Sequence, residues 1–173
     1  MSPLARAYVG IGSNLESPVA QVRRGVAALE RLPDSRLVGC SSLYRSAPVG
    51  ITEQPDFINA ACALDTTLEP RALMQRLLEI ESAHGRTRGS TRGGPRTLDL
   101  DLLLYGELEL ASPELTLPHP RLHERAFMLY PLFEIAPTLD VPGRGAVATL
   151  LERCDKGDVV RLPPDASDHD HWA

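Results

Sequence analysis

The sequence predicts an α+β fold, an antiparallel sheet with helices packed against it. Four apolar runs of strand length predict the sheet, and two amphipathic stretches, each opened by a proline, predict the helices. Their order, strand-helix-strand-strand-helix-strand, separates this class from a parallel α/β fold, in which every strand would be followed by a helix.

Ala7 to Gly12 is a short buried strand closed by the turn residues Ser13 and Asn14. Ser17 and Pro18 open the first helix, Ser as N-cap and Pro preset at the first helical position. Val19, Val22, Val26 and Leu29 then recur every three or four residues and form one apolar stripe. Arg36 to Arg45 is strand-like, a loop runs from Ser46 to Pro55, and Phe57 to Leu64 is the next apolar strand. Pro70 opens the second helix, with Leu73, Leu77 and Ile80 on one face and Gly85 just past its end. A Gly/Arg segment, Gly85 to Arg96, leads into a strand from Thr97 to Tyr105. Beyond Pro118-His119-Pro120, the stretch Arg125 to Ile135 is largely helical, and Pro131 must start, bend or divide it. This order fits a ferredoxin-like antiparallel sheet with C-terminal additions. Residues 1–163 are expected to form one domain and 164–173, which carry no hydrophobic period, a mobile tail.

Composition limits the function classes. With 173 residues the chain can bury roughly two-thirds of its unfolded surface, so it needs neither disulfides nor a structural metal to fold. Gly 13 and Pro 15 lie below the share that marks low complexity, and 43% hydrophobic residues exclude disorder. A net charge of −5 gives no overall field to attract nucleic acid or anionic lipid. Cys40, Cys62 and Cys154 are widely spaced, and the first two sit in apolar runs; buried free thiols in a reducing compartment are expected. No apolar run approaches the length of a signal peptide or a membrane span, so a soluble cytoplasmic protein is expected.

The chemistry concentrates in one stretch. In Leu98-Asp-Leu-Asp-Leu102 the strand period puts Asp99 and Asp101 on one side, with Cα atoms ~6.6–6.8 Å apart. Two carboxylates so placed repel unless a cation lies between them, and an all-oxygen pair suits Mg²⁺ carrying phosphates. Plain amphipathicity of a half-solvated strand is the alternative. Arg86, Arg88, Arg92 and Arg96 precede the pair within eleven residues of an acidic chain. Guanidinium groups beside divalent-cation ligands make sense chiefly around a polyanion. His119 and His123, four apart, would be zinc ligands lacking a third partner; polar contacts to phosphate from His119 and Arg125 are the better reading, and a proline-flanked turn histidine is the plain alternative. Neither a phosphate-binding Gly-x-x-x-x-Gly-Lys loop nor a complete dinucleotide fingerprint is present, since Gly10-Ile-Gly12 lacks the third glycine.

Three blocks together resemble the 6-hydroxymethyl-7,8-dihydropterin pyrophosphokinase family of folate biosynthesis. They are Gly12-Ser-Asn-Leu15; Tyr44-Arg-Ser-Ala-Pro-Val-Gly50 with Gln54-Pro-Asp-Phe-Ile-Asn-Ala60; and Gly94-Pro-Arg-Thr-Leu-Asp-Leu-Asp101 with Pro118 to Phe127. The similarity runs from about Ala7 to Pro142. It implies a Mg-dependent diphosphotransferase taking ATP and a reduced pterin, with two Mg²⁺ ions on Asp99 and Asp101. It implies Arg86 and Arg96 on the transferring phosphates, and Arg88, Leu102, Thr116, His119 and Arg125 at the nucleotide. Phe57 and Phe127 would stack on the pterin ring, Asn59 would bond its edge, and Ser46, Pro48 and Val49 would line it. A monomer that binds neither nucleic acid nor membrane is expected. A metal-dependent nucleotide hydrolase would use the same carboxylates and arginines, whereas an RNA-binding module would need exposed aromatics and a basic face. The glycines of the arginine segment further predict a lid that closes over bound ATP.

Overall fold

The computed structural model describes residues 3–15, 17–48, 53–84 and 98–168. Its elements are β1 (Ala5–Ser13), α1 (Pro18–Glu30), β2 (Ser35–Cys40), β3 (Tyr44–Ser46), β4 (Phe57–Thr66), α2 (Pro70–Ala83) and β5 (Asp99–Tyr105). These are followed by β6 (Leu110–Ala111), β7 (Thr116–Leu117), a 3₁₀ turn (Leu122–Glu124), α3 (Ala126–Ile135), β8 (Asp140–Val141), β9 (Gly145–Ala146), α4 (Val147–Arg153) and β10 (Val160–Arg161). The main sheet runs β10-β3-β4-β1-β5, with β2 also on β4, and every pairing in it is antiparallel. The fold is therefore α+β.

Each face of the sheet carries its own core. Even-numbered residues of β4 and β5 (Ile58, Ala60, Cys62, Leu100, Leu102) meet Val19, Val22 and Leu29 of α1 and Leu73 and Leu77 of α2. On the other face Tyr8, Ala63 and Leu103 pack under Met128, Leu129 and Leu132 of α3 and Val147 and Leu150 of α4. Strands covered on both faces read as near-continuous apolar runs, which is why β1 and β4 stand out in the sequence. Pro131 lies inside α3 without ending it. Having no N–H, it leaves the carbonyl four residues back, that of Phe127, without its helical donor.

Four expectations need correction. The strand-like stretch Arg36–Arg45 is two strands, because Ser41 turns its N–H and hydroxyl to the backbone of Ala61 and interrupts the ladder between Cys40 and Tyr44. Cys40 is exposed, at the end of β2, although its sulfur faces that of the buried Cys62 at 2.8 Å. Ser17 adopts a left-handed backbone conformation and makes no side-chain cap. The carboxylate of Asp168 caps α1 instead, accepting the N–H groups of Val19 (2.8 Å) and Ala20 (3.0 Å). Packing accordingly continues past residue 163, with Ala166 fully buried in the α1–α2 core. Residues 169–173, the rest of the expected tail, lie outside the described residues. Asp168→Ala should lower stability by ~0.5–2 kcal/mol, the usual cost of losing a cap, as read by urea unfolding. An unchanged midpoint would reduce the contact to decoration.

Candidate active site

The centre of the face shared with α3 is bare because β1 has glycines there. In the β1–β5 register Gly12 lies opposite Asp99 and Gly10 opposite Asp101. On its other side Gly12 lies opposite Asn59, which in turn lies opposite Tyr44 of β3. One row across the sheet is thus Asp99–Gly12–Asn59–Tyr44, with no side chain between the carboxylate and the amide. A Cβ added at Gly12 would come within 3.1 Å of Asn59 Oδ1. Above this floor is a cavity of about 360 Å³, within the range that takes a small ligand.

One wall is polar and buried. Asn59 donates from Nδ2 to Ser46 Oγ at 2.7 Å, and both residues are buried. The neighbouring loop is tied to β1 by Asn14, whose Nδ2 donates to Gln54 Oε1 (2.8 Å) and to the Pro55 carbonyl (2.9 Å). Phe57 lines the cavity from the start of β4, and Phe127 from the first turn of α3. The guanidinium of Arg125 sits over the Phe127 ring, 5.7 Å from its centroid, a cation–π arrangement.

The opposite wall carries the ionic groups. His119 Nε2 is 3.9 Å from Asp101 Oδ1, and its Nδ1 accepts the Arg121 N–H at 3.1 Å. Accepting at Nδ1 leaves the proton on Nε2. Burial, reinforced by Arg125, lowers the His119 pKa to about 4, outweighing the pull of Asp99 in the other direction. The ring is therefore neutral at pH 7 and presents an N–H to the cleft. Beneath the two aspartates, Leu100 N–H donates to the buried carboxylate of Glu81 on α2 at 2.7 Å. This bond holds the edge strand at the residue between Asp99 and Asp101.

Eight of the predicted residues meet at this cavity: Ser46, Phe57, Asn59, Asp99, Asp101, His119, Arg125 and Phe127. Three do not line it. Leu102 gives the cavity no side chain, because the strand period that exposes Asp101 turns Leu102 into the α1–α2 core. Thr116 pairs with Ala111 in the small β6–β7 ladder, its hydroxyl directed to the Ser112 carbonyl at 3.5 Å. Pro48 is half-buried away from the cavity, and Ala47 takes its place on the wall. Arg86, Arg88, Arg92, Arg96 and Val49, and with them the expected lid, lie outside the described residues. The two histidines part company as well, His123 Nδ1 facing Arg144 at 2.6 Å rather than the aspartates.

Sequence reasoning missed Gly10, Gly12, Arg121, Met128 and Glu81. For Glu81 a signal existed: it continues the Leu73, Leu77 stripe at the same helical spacing, and an acid in an apolar register needs a buried partner. For the glycines the signal was their spacing of two, which bares one face of a strand.

Two carboxylates over a floor without side chains leave room for an ion and its phosphate ligands, and the donor set is all oxygen. Among the described residues no three His, Cys, Asp or Glu side chains converge on a metal position. Asp99 and Asp101 would thus be the described protein share of such a site, which fits Mg²⁺, an ion that keeps water and phosphate as its other ligands.

Residues 8–137 match the model of the 7,8-dihydro-6-hydroxymethylpterin-pyrophosphokinase (HPPK) family. A Pseudomonas aeruginosa protein, 2-amino-4-hydroxy-6-hydroxymethyldihydropteridine pyrophosphokinase, is 47% identical over 160 residues, covering 92% of this chain and 98% of its own. A Haemophilus influenzae protein of the same description is 40% identical over 158 residues, covering 91% and 98%. Among solved structures, the crystal structure of Plasmodium falciparum HPPK-DHPS with pteroate superposes with a TM-score of 0.70 over 88% of this chain. The chain spans 43% of that one, and at 11% identity the likeness is one of fold.

Proposed function

Because the chain belongs to the 7,8-dihydro-6-hydroxymethylpterin-pyrophosphokinase family, we infer that its cleft transfers a pyrophosphoryl group from ATP to the hydroxymethyl oxygen of 6-hydroxymethyl-7,8-dihydropterin in folate biosynthesis. The observation that carries this reading within the fold is the row Asp99–Gly12–Asn59, a carboxylate and a buried amide facing one another across a bare floor. One end suits a metal-bound polyphosphate and the other the hydrogen-bonding edge of a flat heterocycle.

The hydroxymethyl oxygen attacks the β-phosphorus in line; the bond from that phosphorus to the α,β-bridging oxygen breaks, and AMP leaves. Asp99 and Asp101 would hold two Mg²⁺ ions, which when bound would supply charge neutralisation and Lewis acidity to the polyphosphate. The neutral His119 donates its Nε2–H to a phosphate oxygen, and Arg125 adds a fixed positive charge beside it. Arg86, Arg88 and Arg96 are assigned to the same polyphosphate on sequence alone. Phe57 and Phe127 sandwich the pterin, Asn59 and Ser46 read its edge, and Pro48 and Val49 belong to the adjoining loop. The protein's contribution is positioning and electrostatic stabilisation of charge spread over the transferring group.

The sheet order β5-β1-β4, with β2 and β3 both on the side of β4 away from β1, supports the ferredoxin-like assignment, with the elements after β5 added at the C-terminus. The reading takes the protein as a single pyrophosphokinase domain, cytoplasmic and monomeric, with no nucleic-acid or membrane partner. No described helix is long and apolar enough to cross a membrane.

The test is stoichiometric. With Mg-ATP and the reduced pterin, AMP should appear one-for-one with pterin diphosphate; equal ATP loss without pterin would point to a nucleotide hydrolase instead. Asn59→Ala should weaken pterin binding by about 5- to 150-fold, the cost of leaving a buried polar group unpaired, and ATP binding far less. Calorimetry showing equal losses for both ligands would make Asn59 structural.

A further inference from the structure

The segment His119 to Arg125 gives the cleft its histidine and two arginines, yet it belongs to no sheet and to no helix longer than one 3₁₀ turn. From inside it is held by Leu122, fully buried, and by the His119 N–H on the Leu103 carbonyl at 2.9 Å; its outer side needs a hold of its own. The structure offers Arg144, at the tip of the β8–β9 hairpin. Its Nη1 donates to the His119 carbonyl at 3.0 Å and lies 2.6 Å from His123 Nδ1, and its Nη2 reaches the Pro120 carbonyl at 3.5 Å. A guanidinium has no acceptor, so His123 Nδ1 is the acceptor here and its proton sits on Nε2. One planar fork thus grips the segment from behind at His119, Pro120 and His123, while His119 and Arg121 face the cavity in front.

The hairpin is shaped to present this side chain. Arg144 N–H closes the turn on the Val141 carbonyl at 2.9 Å. Gly143 and Gly145 on either side have φ of +75° and +99°, which side chains adopt only with strain. A Cβ at Gly143 would also run into the Glu109 carboxylate. Val141 is buried in the α3–α4 core, which anchors the hairpin base. Arg144 lies beyond the residues matched by the family model, which end at 137.

We propose that Arg144 is a positioning residue for the nucleotide side of the cleft, fixing the His119–Arg125 segment so that His119 and Arg125 meet the polyphosphate. Assigning that side to the nucleotide rests on the function proposed above. Arg144 touches no reacting atom. Its removal should release the segment and weaken nucleotide binding selectively, leaving the Asn59 end of the cleft as it was.

The experiment measures the affinities of α,β-methylene-ATP with Mg²⁺ and of oxidised 6-hydroxymethylpterin by calorimetry in wild type, Arg144→Ala and Arg144→Lys. Arg144→Ala should raise the Kd of the ATP analogue about tenfold, as expected for loss of charged hydrogen bonds, with pterin affinity within about twofold. Arg144→Lys keeps the charge but not the fork and should fall between the two. Equal weakening of both ligands, no weakening of either, or wild-type affinity in Arg144→Lys would overturn the proposal, the last because charge alone would then suffice. If the Ala variant does not fold, the Lys variant carries the test by the same split. Imidazole ¹⁵N shifts separate this proposal from the reading beneath it. They should show His123 Nδ1 losing its donor in Arg144→Ala, even if the wild-type protein forms no AMP from ATP and pterin. Unchanged His119 and His123 shifts would refute the grip whatever the activity.

Discussion

Asp99→Ala and Asp101→Ala each lower kcat by at least ~10²-fold in Mg²⁺, with little change in the unfolding midpoint. The kinetic half of this expectation follows from where the carboxylates stand. Both are on the cavity face of β5, each opposite a glycine, so no neighbouring side chain can substitute for the one removed. Each factor of ten corresponds to ~1.36 kcal/mol of lost transition-state stabilisation, and a lost ligand to the polyphosphate's cations costs several kcal/mol. The stability half follows because both side chains are only half-buried and lie on the cavity face of the strand. Steady-state kinetics at saturating ATP and pterin, with Mg²⁺ varied, is the check. Full activity of Asp99→Ala would sink the two-ion assignment, and activity restored by high Mg²⁺ would restrict the residue to affinity.

Glu81→Ala strikes the same strand from below and should cost both stability and rate. The buried carboxylate accepts the Leu100 N–H at 2.7 Å, on the side of β5 away from β1. Removing it strands a buried donor at ~1–3 kcal/mol, which for a chain of this size is a fall in Tm of about 2–12 °C. The rate effect arises because Asp99 and Asp101 flank Leu100, and a small misplacement of reacting groups is expensive; kcat should drop about tenfold or more. Glu81→Gln keeps an acceptor oxygen and should recover most of the Tm. A Glu81→Ala protein that melts like wild type and turns over at the wild-type rate would show that the strand holds its register unaided.

Local signals carried much of the fold into the sequence. The stripes Val19–Val22–Val26–Leu29 and Leu73–Leu77, each behind a proline, are properties of a single helix, and the structure has α1 and α2 there. What escaped depended on distant partners. Ser17 has the chemistry of an N-cap, but Asp168 takes the amides it would have capped. The break after Cys40 comes from Ser41 bonding to Ala61 across the sheet. The site divides the same way. Asp99 and Asp101 could be paired from the strand period alone, whereas Gly10 and Gly12 acquire meaning only in the β1–β5 register, and Arg144 only once a hairpin has brought it behind His119. Leu102 was a candidate through the resemblance alone, and the strand period argued against it: Leu102 and Asp101 sit side by side in sequence and on opposite sides of the sheet.

The reach of the Asp168 carboxylate also orders events during synthesis. The first-turn amides of α1 have no partners within their own helix, and the group that satisfies Val19 comes 149 residues later. On the ribosome, therefore, α1 emerges with a frayed start, while α2, β5 and the sheet are still to be translated. Its stripe has nothing to bury against until β4 and β5 arrive, since Val22 and Leu29 pack with Ile58 and Leu100. Only when residue 168 clears the exit tunnel can the start of α1 be closed. Vectorial synthesis thus leaves α1 unfinished until long after it has been made.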